Sequence, residues 1–266
     1  KGMAVVVAAA MTMTMVAGCG KKEEKAKSDT IRIGAIGPLT GDAAIYGQDV
    51  KGGMEIAVKE INEGGGINGV KVELNFQDDE NDPEKSVNAY NTLKDWGMQA
   101  LLGTVTSAPC VAVGEVAKDD NMFLLTPSGT AVECVQYDNA FRVCFSDPTQ
   151  GVESAKYIAD KGLAKKVAII YNSSDVYSSG IYESFAKEAK EEGLDVVAAE
   201  AFTAENNKDF SVQLQKAKDA GAELVFLPIY YQEASLILAQ ANNAGFDPIW
   251  FGVDGMDGIL NLDGFD

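Results

Sequence analysis

The chain predicts an α/β fold in two lobes, each a parallel sheet flanked by helices. Three observations predict it. Short apolar runs alternate with longer amphipathic stretches along most of the 266 residues, the pattern of strand–helix units on a parallel sheet. A break at SDPTQG, Ser146–Gly151, divides the alternation into two series. In both series hydroxyl, acidic and aromatic residues gather just after the strands, where open α/β sheets place their ligands.

In chain order, TIRIGAI (Thr30–Ile36) is the first strand and leads into the glycine-rich GPLTGDAAIYG. That loop lacks both the Walker lysine and the GxGxxG spacing, so it does not predict a nucleotide site. A helix over about Gly47–Glu63 follows, with Val50, Met54, Ala57, Val58 and Ile61 at helical spacing on one face. Gly64–Val70 turns the chain back, and Lys71–Gln77 alternates as a strand with Val72, Leu74 and Phe76 on one side. The acidic run Asp78, Asp79, Glu80 and Asp82 lacks EF-hand spacing and reads as a solvated turn, with Asp82 capping a helix over Pro83–Asp95.

The stretch ALLGTVTSAP, Ala100–Pro109, organises the rest. Ala100–Leu102 reads as a strand covered on both faces. Gly103 ends it, Thr104, Thr106 and Ser107 supply hydroxyls, and Pro109 suits the first turn of a helix. Ser107 fits two roles, a helix cap or a contact to an anionic ligand group at the helix amino end. The next strand, Met122–Leu125, also ends in hydroxyls, at TPSGT (Thr126–Thr130), as expected of one cleft lined by two neighbouring loops. Phe141–Phe145 is a further strand.

Beyond the break, helices are expected over about Pro148–Lys161, Ser179–Glu192, Phe210–Ala220 and Gln232–Ala244. Strands are expected at Lys166–Tyr171, Asp195–Ala201, Leu224–Pro228 and Ile249–Gly252. Their ends carry NSSDVYSSG, IYYQE and VDG.

Composition narrows function. With 40 acidic and 22 basic residues the net charge is −18, which argues against a nucleic-acid partner. The absence of histidine removes the Ser-His-Asp triad and most zinc sites. No nucleophile–base pair stands out, so an enzyme is disfavoured, and no cofactor or metal is expected. The four cysteines, Cys19, Cys110, Cys134 and Cys144, match no metal spacing. Pairing of Cys134 with Cys144, pairing of Cys110 with Cys134, and free buried thiols all stay open.

The first residues read as a targeting segment. An apolar run from Met3 to Ala17 has the build of a signal-peptide core, and Val16-Ala17-Gly18-Cys19 resembles a bacterial lipobox followed by a polar tether. The resemblance implies cleavage before Cys19 and lipid on its sulfur. Position 1 is not Met, so the amino end is expected to be truncated.

Taken jointly, IGAIGPLTGDAAIYGQDVKGGMEIAVKEIN, GGINGVKVEL, DPEKSVNAYNTL, GTVTS, TPSGT, DVYSSG, YYQE and FGVDG resemble the extracytoplasmic solute-binding proteins of ABC transporters. The likeness is to the branched-chain amino-acid (Leu/Ile/Val) group with the type I periplasmic fold, and it runs from Thr30 to Asp266. It implies a lipid-anchored receptor on the outer face of the cytoplasmic membrane, binding a small, branched-chain amino acid between two lobes and delivering it to permease subunits. By the same resemblance Ser107 and Thr130 hold the ligand carboxylate and the Gly129 carbonyl accepts from its ammonium. Tyr46 borders the side chain, Tyr177 and Tyr231 close over it, and Asp254 meets the ammonium. Relatives on this scaffold also imply two alternatives: a short amide, urea or aromatic acid as ligand, and a ligand-sensing ectodomain.

The expected organisation is a signal peptide at 1–18, a tether at 19–29, a first lobe at 30–147, a second at 148–256 and the start of a further crossing at 257–266. The family continues with a C-terminal part that packs on both lobes, so exposed apolar surface is expected where it would sit.

Overall fold

A computed structural model describes residues 30–262. The expected signal peptide, tether and lipidated Cys19 lie outside the described residues, as does the chain from 263 on.

The first series forms a five-stranded parallel sheet. Its strands are β1 (Thr30–Gly37), β2 (Lys71–Asp78), β3 (Ala100–Gly103), β4 (Leu124–Thr126) and β5 (Ala140–Arg142), in the order β2-β1-β3-β4-β5. Helices α1 (Ala44–Glu63), α2 (Pro83–Trp96) and α3 (Ser107–Ala117) connect them. The second series forms a four-stranded parallel sheet from β6 (Lys166–Asn172), β7 (Asp195–Phe202), β8 (Leu224–Leu227) and β9 (Ile249–Gly252), in the order β7-β6-β8-β9. Helices α4 (Asp147–Asp160), α5 (Val176–Glu191), α6 (Ser211–Asp219) and α7 (Tyr231–Asn243) flank it.

The cores follow from these patterns. Ile36, Leu101 and Leu124 of three neighbouring strands pack with Tyr90 and Leu93 of α2 and Val113 of α3. In the second lobe β8 is buried along its whole length, with Val225 in the core against α6 and α7 and Phe226 in the core against α4 and α5. Asp82 caps α2, its carboxylate accepting from the Lys85 N–H at 2.8 Å. Asp78 accepts from the backbone N–H groups of Leu39 and Glu80 and from the Thr40 hydroxyl, which fixes the loop after β1. Two glycines there admit no side chain. A Cβ on Gly47 would lie 1.8 Å from the Pro38 carbonyl oxygen, and Gly103, at φ +127°, sits against the Ile36 backbone.

Three expectations shift. The β4 strand is Leu124–Thr126 rather than Met122–Leu125, because Asn121 turns into the left-handed region and the Met122 N–H closes back on the Ala117 carbonyl. The β5 strand is Ala140–Arg142 rather than Phe141–Phe145, since its partner ends at Thr126 and the ladder ends with it. The apolar stripe of α1 is not a buried face: Gly47 is the helix's one buried residue, Val50, Met54 and Val58 are only half-buried, and Ala57 and Ile61 are exposed. Phe141, Val143 and Phe145 at the β5 end are likewise exposed.

Candidate functional site

A cavity of about 250 Å³ lies between the two sheets, at the carboxyl ends of their strands. Its first-lobe wall is the pair of hydroxyl loops. These loops are stitched together before any ligand arrives. The Thr126 hydroxyl donates to the Thr104 carbonyl at 2.6 Å, and the Ser128 hydroxyl donates to the Val105 carbonyl at 2.6 Å. The Ser107 hydroxyl accepts from the backbone N–H groups of Thr130 at 3.1 Å and Ala131 at 3.2 Å.

That last pair shows Ser107 tying the two loops together rather than capping α3. The N-cap of α3 is Thr106, which makes no side-chain cap bond, and Ser107 is the first helical residue. A serine hydroxyl has two acceptor sites and one proton. With both acceptor sites used, Ser107 can only donate to a further partner. It therefore presents a hydrogen-bond donor and disfavours a cationic group beside it. Thr106 lines the cavity as well, and its buried hydroxyl has no partner.

The second-lobe wall comes from the turns after β6, β8 and β9. The Tyr177 hydroxyl donates to Asp254 Oδ1 at 2.6 Å and accepts from the Gly255 N–H at 3.0 Å. The Asp254 N–H donates to Gln150 at 3.2 Å. Tyr177 stacks on Tyr230 with ring centroids 4.7 Å apart, and burial pushes both phenols well above their ordinary pKa, so they remain neutral donors. Tyr46, from the first lobe, donates to the Gly255 carbonyl at 2.6 Å and so ties the lobes directly. A second tie, Lys208 to Asp42 at 3.7 Å, is exposed and contributes little.

The cavity is one-sided in charge. Among the described residues Asp49, Asp254 and Asp257 face it and no lysine or arginine does. Beneath it, at the start of α4, Asp147 is 1% exposed and neither carboxylate oxygen has a hydrogen-bond partner. Burial raises its pKa to about 7, with Asp254 and Asp175 adding to the rise. Val50, Val105 and the rings of Tyr46, Tyr177 and Tyr230 make the remaining surface largely apolar.

Of the seven residues singled out from the sequence, five line this cavity: Tyr46, Ser107, Thr130, Tyr177 and Asp254. Gly129 and Tyr231 do not. Gly129 is buried behind the loop, its N–H donating to Thr126 at 2.8 Å and its carbonyl turned to Arg142 and Cys144. Ser128 faces the cavity in its place. Helix α7 begins at Tyr231, which turns that ring inward, where it packs edge-on against Tyr46 at 5.3 Å. Tyr230, in extended conformation one residue earlier, lines the cavity. The sequence reading starts this helix at Gln232, one residue late, and that shift hides which tyrosine is presented. Asp49, Val50, Val105, Gly255 and Asp257 were also missed. Nothing in their spacing separates them from core and turn residues. Among the described residues no group of three or more cysteine, aspartate or glutamate side chains could hold a metal ion.

Comparison with known proteins gives a consistent picture. The periplasmic binding protein family model matches residues 30–260. A Leu/Ile/Val-binding protein homolog of Brucella melitensis is 35% identical over 228 residues, covering 85% of this chain and 61% of the relative. The chain thus spans about three fifths of the length of such curated relatives. Among solved structures, a leucine-binding protein of Thermotoga maritima superposes with a TM-score of 0.82 at 28% identity, covering 88% of this chain and 67% of that one. A branched-chain amino acid transporter substrate-binding protein of Streptococcus pneumoniae, in complex with isoleucine, superposes with a TM-score of 0.78 at 31% identity, covering 85% and 64%.

Proposed function

The chain belongs to the periplasmic binding protein family, and on that premise we propose that it is the receptor of an ABC transporter for a small, branched-chain amino acid. The observation that carries this reading is the polarity of the cavity. At one end Ser107 can only donate, beside the unpartnered Thr106 hydroxyl, which suits a carboxylate. At the other, Asp254 is held by Tyr177 where an ammonium would meet it. Val50, Val105 and three tyrosine rings lie between, and about 250 Å³ suits a small ligand rather than a drug-sized one. The names of the relatives, which bind leucine, isoleucine or valine, support the same ligand class.

In this reading no bond is made or broken. The ligand carboxylate docks on the first lobe, the second lobe swings in, and Asp254 and the tyrosines close over the ammonium and side chain. Closure excludes water, which strengthens both charged contacts. A permease then recognises the closed form. The receptor works outside the cytoplasmic membrane, anchored through lipid on Cys19.

The test is mass spectrometry of ligand retained by the full-length purified protein, followed by calorimetry with leucine, isoleucine and valine. Retention of a branched-chain amino acid with a matching affinity is the expected result. Retention of an aromatic acid or an amide, with no heat from the three amino acids, refutes the reading.

A further inference from the structure

The three cysteines of the described residues surround Gly129. Cys144 lies on its carbonyl side, with Sγ 3.7 Å from the Gly129 oxygen. Cys110 and Cys134 lie on the other side, in the space a side chain would fill. A Cβ on Gly129 would stand 3.1 Å from the Cys134 sulfur and 3.4 Å from the Cys110 Cβ. Both thiols are fully buried. Cys110 Sγ is 4.0 Å from the Cys134 carbonyl oxygen, and Cys134 Sγ is 3.8 Å from that of Ser107. Cys110 is on the first turns of α3, directly after the loop that presents Ser107, and Cys134 is in the short 3-10 turn Val132–Val135 after the loop that presents Thr130.

We propose that Cys110 and Cys134 form a dithiol–disulfide pair whose oxidation clamps together the two hydroxyl loops of the ligand cavity. The oxidant class is a low-molecular-weight disulfide such as oxidised glutathione. In one of the two equivalent orders, the Cys110 thiolate attacks one sulfur and expels one glutathione thiolate, which takes up the proton that Cys110 lost. Cys134 then gives up its proton and displaces the second glutathione thiolate from the mixed disulfide. The protein loses two hydrogens, and one glutathione disulfide becomes two glutathione thiols. Cys144 lies on the opposite, carbonyl side of Gly129 from the other two cysteines, which leaves it outside the pair. Exchange takes place while the chain folds, before these sulfurs are covered.

The clamp's role in binding rests on the proposed receptor reading; formation of the bond does not. The cysteines stand 24 residues apart in sequence, so the bond would close a loop long enough to remove substantial freedom from the unfolded chain. The experiment refolds the full chain, in a Cys19→Ser background, in a glutathione redox buffer, then denatures, alkylates and maps it by mass spectrometry. One Cys110–Cys134 bond with Cys144 alkylated is expected. Cys144→Ser should keep the bond, and Cys110→Ser or Cys134→Ser should each abolish it. The oxidised protein should melt about 5–10 °C above the reduced one and bind leucine several-fold more tightly. Three alkylated thiols after oxidative refolding, or a bond that includes Cys144, overturns the pair. A mapped bond that moves neither melting temperature nor leucine affinity overturns the clamp. If neither redox form binds leucine, the receptor reading fails while the mapped bond still stands.

Discussion

Ser107→Ala separates two jobs done by one hydroxyl. In the structure its oxygen accepts from Thr130 N–H and Ala131 N–H, both in a buried loop. Removing it strands those two donors, at about 1 kcal/mol each or somewhat more. For a protein of this size about 2 kcal/mol lowers the melting temperature by about 4–8 °C. The hydroxyl proton, left for donation once both acceptor sites are filled, is the second job. Donated to a ligand carboxylate, it is a hydrogen bond to a charged group and contributes about 1.5–3 kcal/mol, or roughly 10- to 150-fold in affinity. The assay is calorimetry on the full-length protein and the alanine variant, each with leucine and with leucinamide, beside a thermal melt. The expected outcome is a fall in melting temperature together with a loss of affinity that is large for leucine and small for leucinamide. A variant that melts lower yet binds leucine as before would show that the hydroxyl only ties the loops, and the carboxylate end of the site would be wrong.

Three further outcomes are expected. Asp254→Asn should weaken leucine by roughly 10- to 150-fold, the loss of a hydrogen bond between charged groups at about 1.5–3 kcal/mol, and should weaken a des-amino analogue far less; equal losses for both ligands in calorimetry remove Asp254 from the site. Tyr46→Phe deletes the hydroxyl that reaches the Gly255 carbonyl across the cleft, so the unliganded protein should open, and an unchanged radius of gyration by small-angle scattering would count against that tie. Asp147, with its folded pKa raised to about 7 from an ordinary 3.8, binds more protons folded than unfolded between those values. Stability contributed by this group therefore falls as pH rises from about 4 to 7, by at most about 4 kcal/mol. Asp147→Asn should gain melting temperature over wild type at pH 8 and lose that advantage at pH 4, and parallel melting curves at all pH values would contradict the burial argument.

The sheets were legible in the sequence because parallel strands buried on both faces write themselves as apolar runs, as in KVAIIY and LVFL. Strand ends were less legible. β4 starts two residues later than read because hydrogen bonding of Met122 to Ala117 takes that residue out of the ladder, a contact that apolar alternation does not encode. The stripe on α1 is a stronger case. Its spacing reads as a core face, but spacing states only that a face is apolar, not that something covers it, and here Ile61 stands exposed. At the site, the hydroxyl loops were visible from composition alone. Which atoms face the cavity was not. Gly129 and Tyr231 each sit one residue from a lining residue, and a single step along a turn or across a helix start reverses the direction of a side chain.

On the proposed receptor reading, the placement of the polar groups would couple binding to closure. The donors for a carboxylate belong to one lobe, on loops already cross-bonded to each other at 2.6 Å and 3.1 Å. They cost little to organise when the ligand arrives. The acceptor for an ammonium belongs to the other lobe, held by Tyr177 and Gln150. A ligand that carries both charges on one carbon can satisfy both sets only when the lobes approach. A ligand with one charge satisfies one lobe and leaves the other solvated. The free energy that favours closure is then the second charged contact, so the closed state reports a zwitterion rather than any apolar molecule of similar volume. The tie from Tyr46 to Gly255 works against this discrimination, since it favours closure without ligand. One neutral hydrogen bond is worth about 1 kcal/mol, well below a desolvated charge pair, so the ligand retains control of the equilibrium.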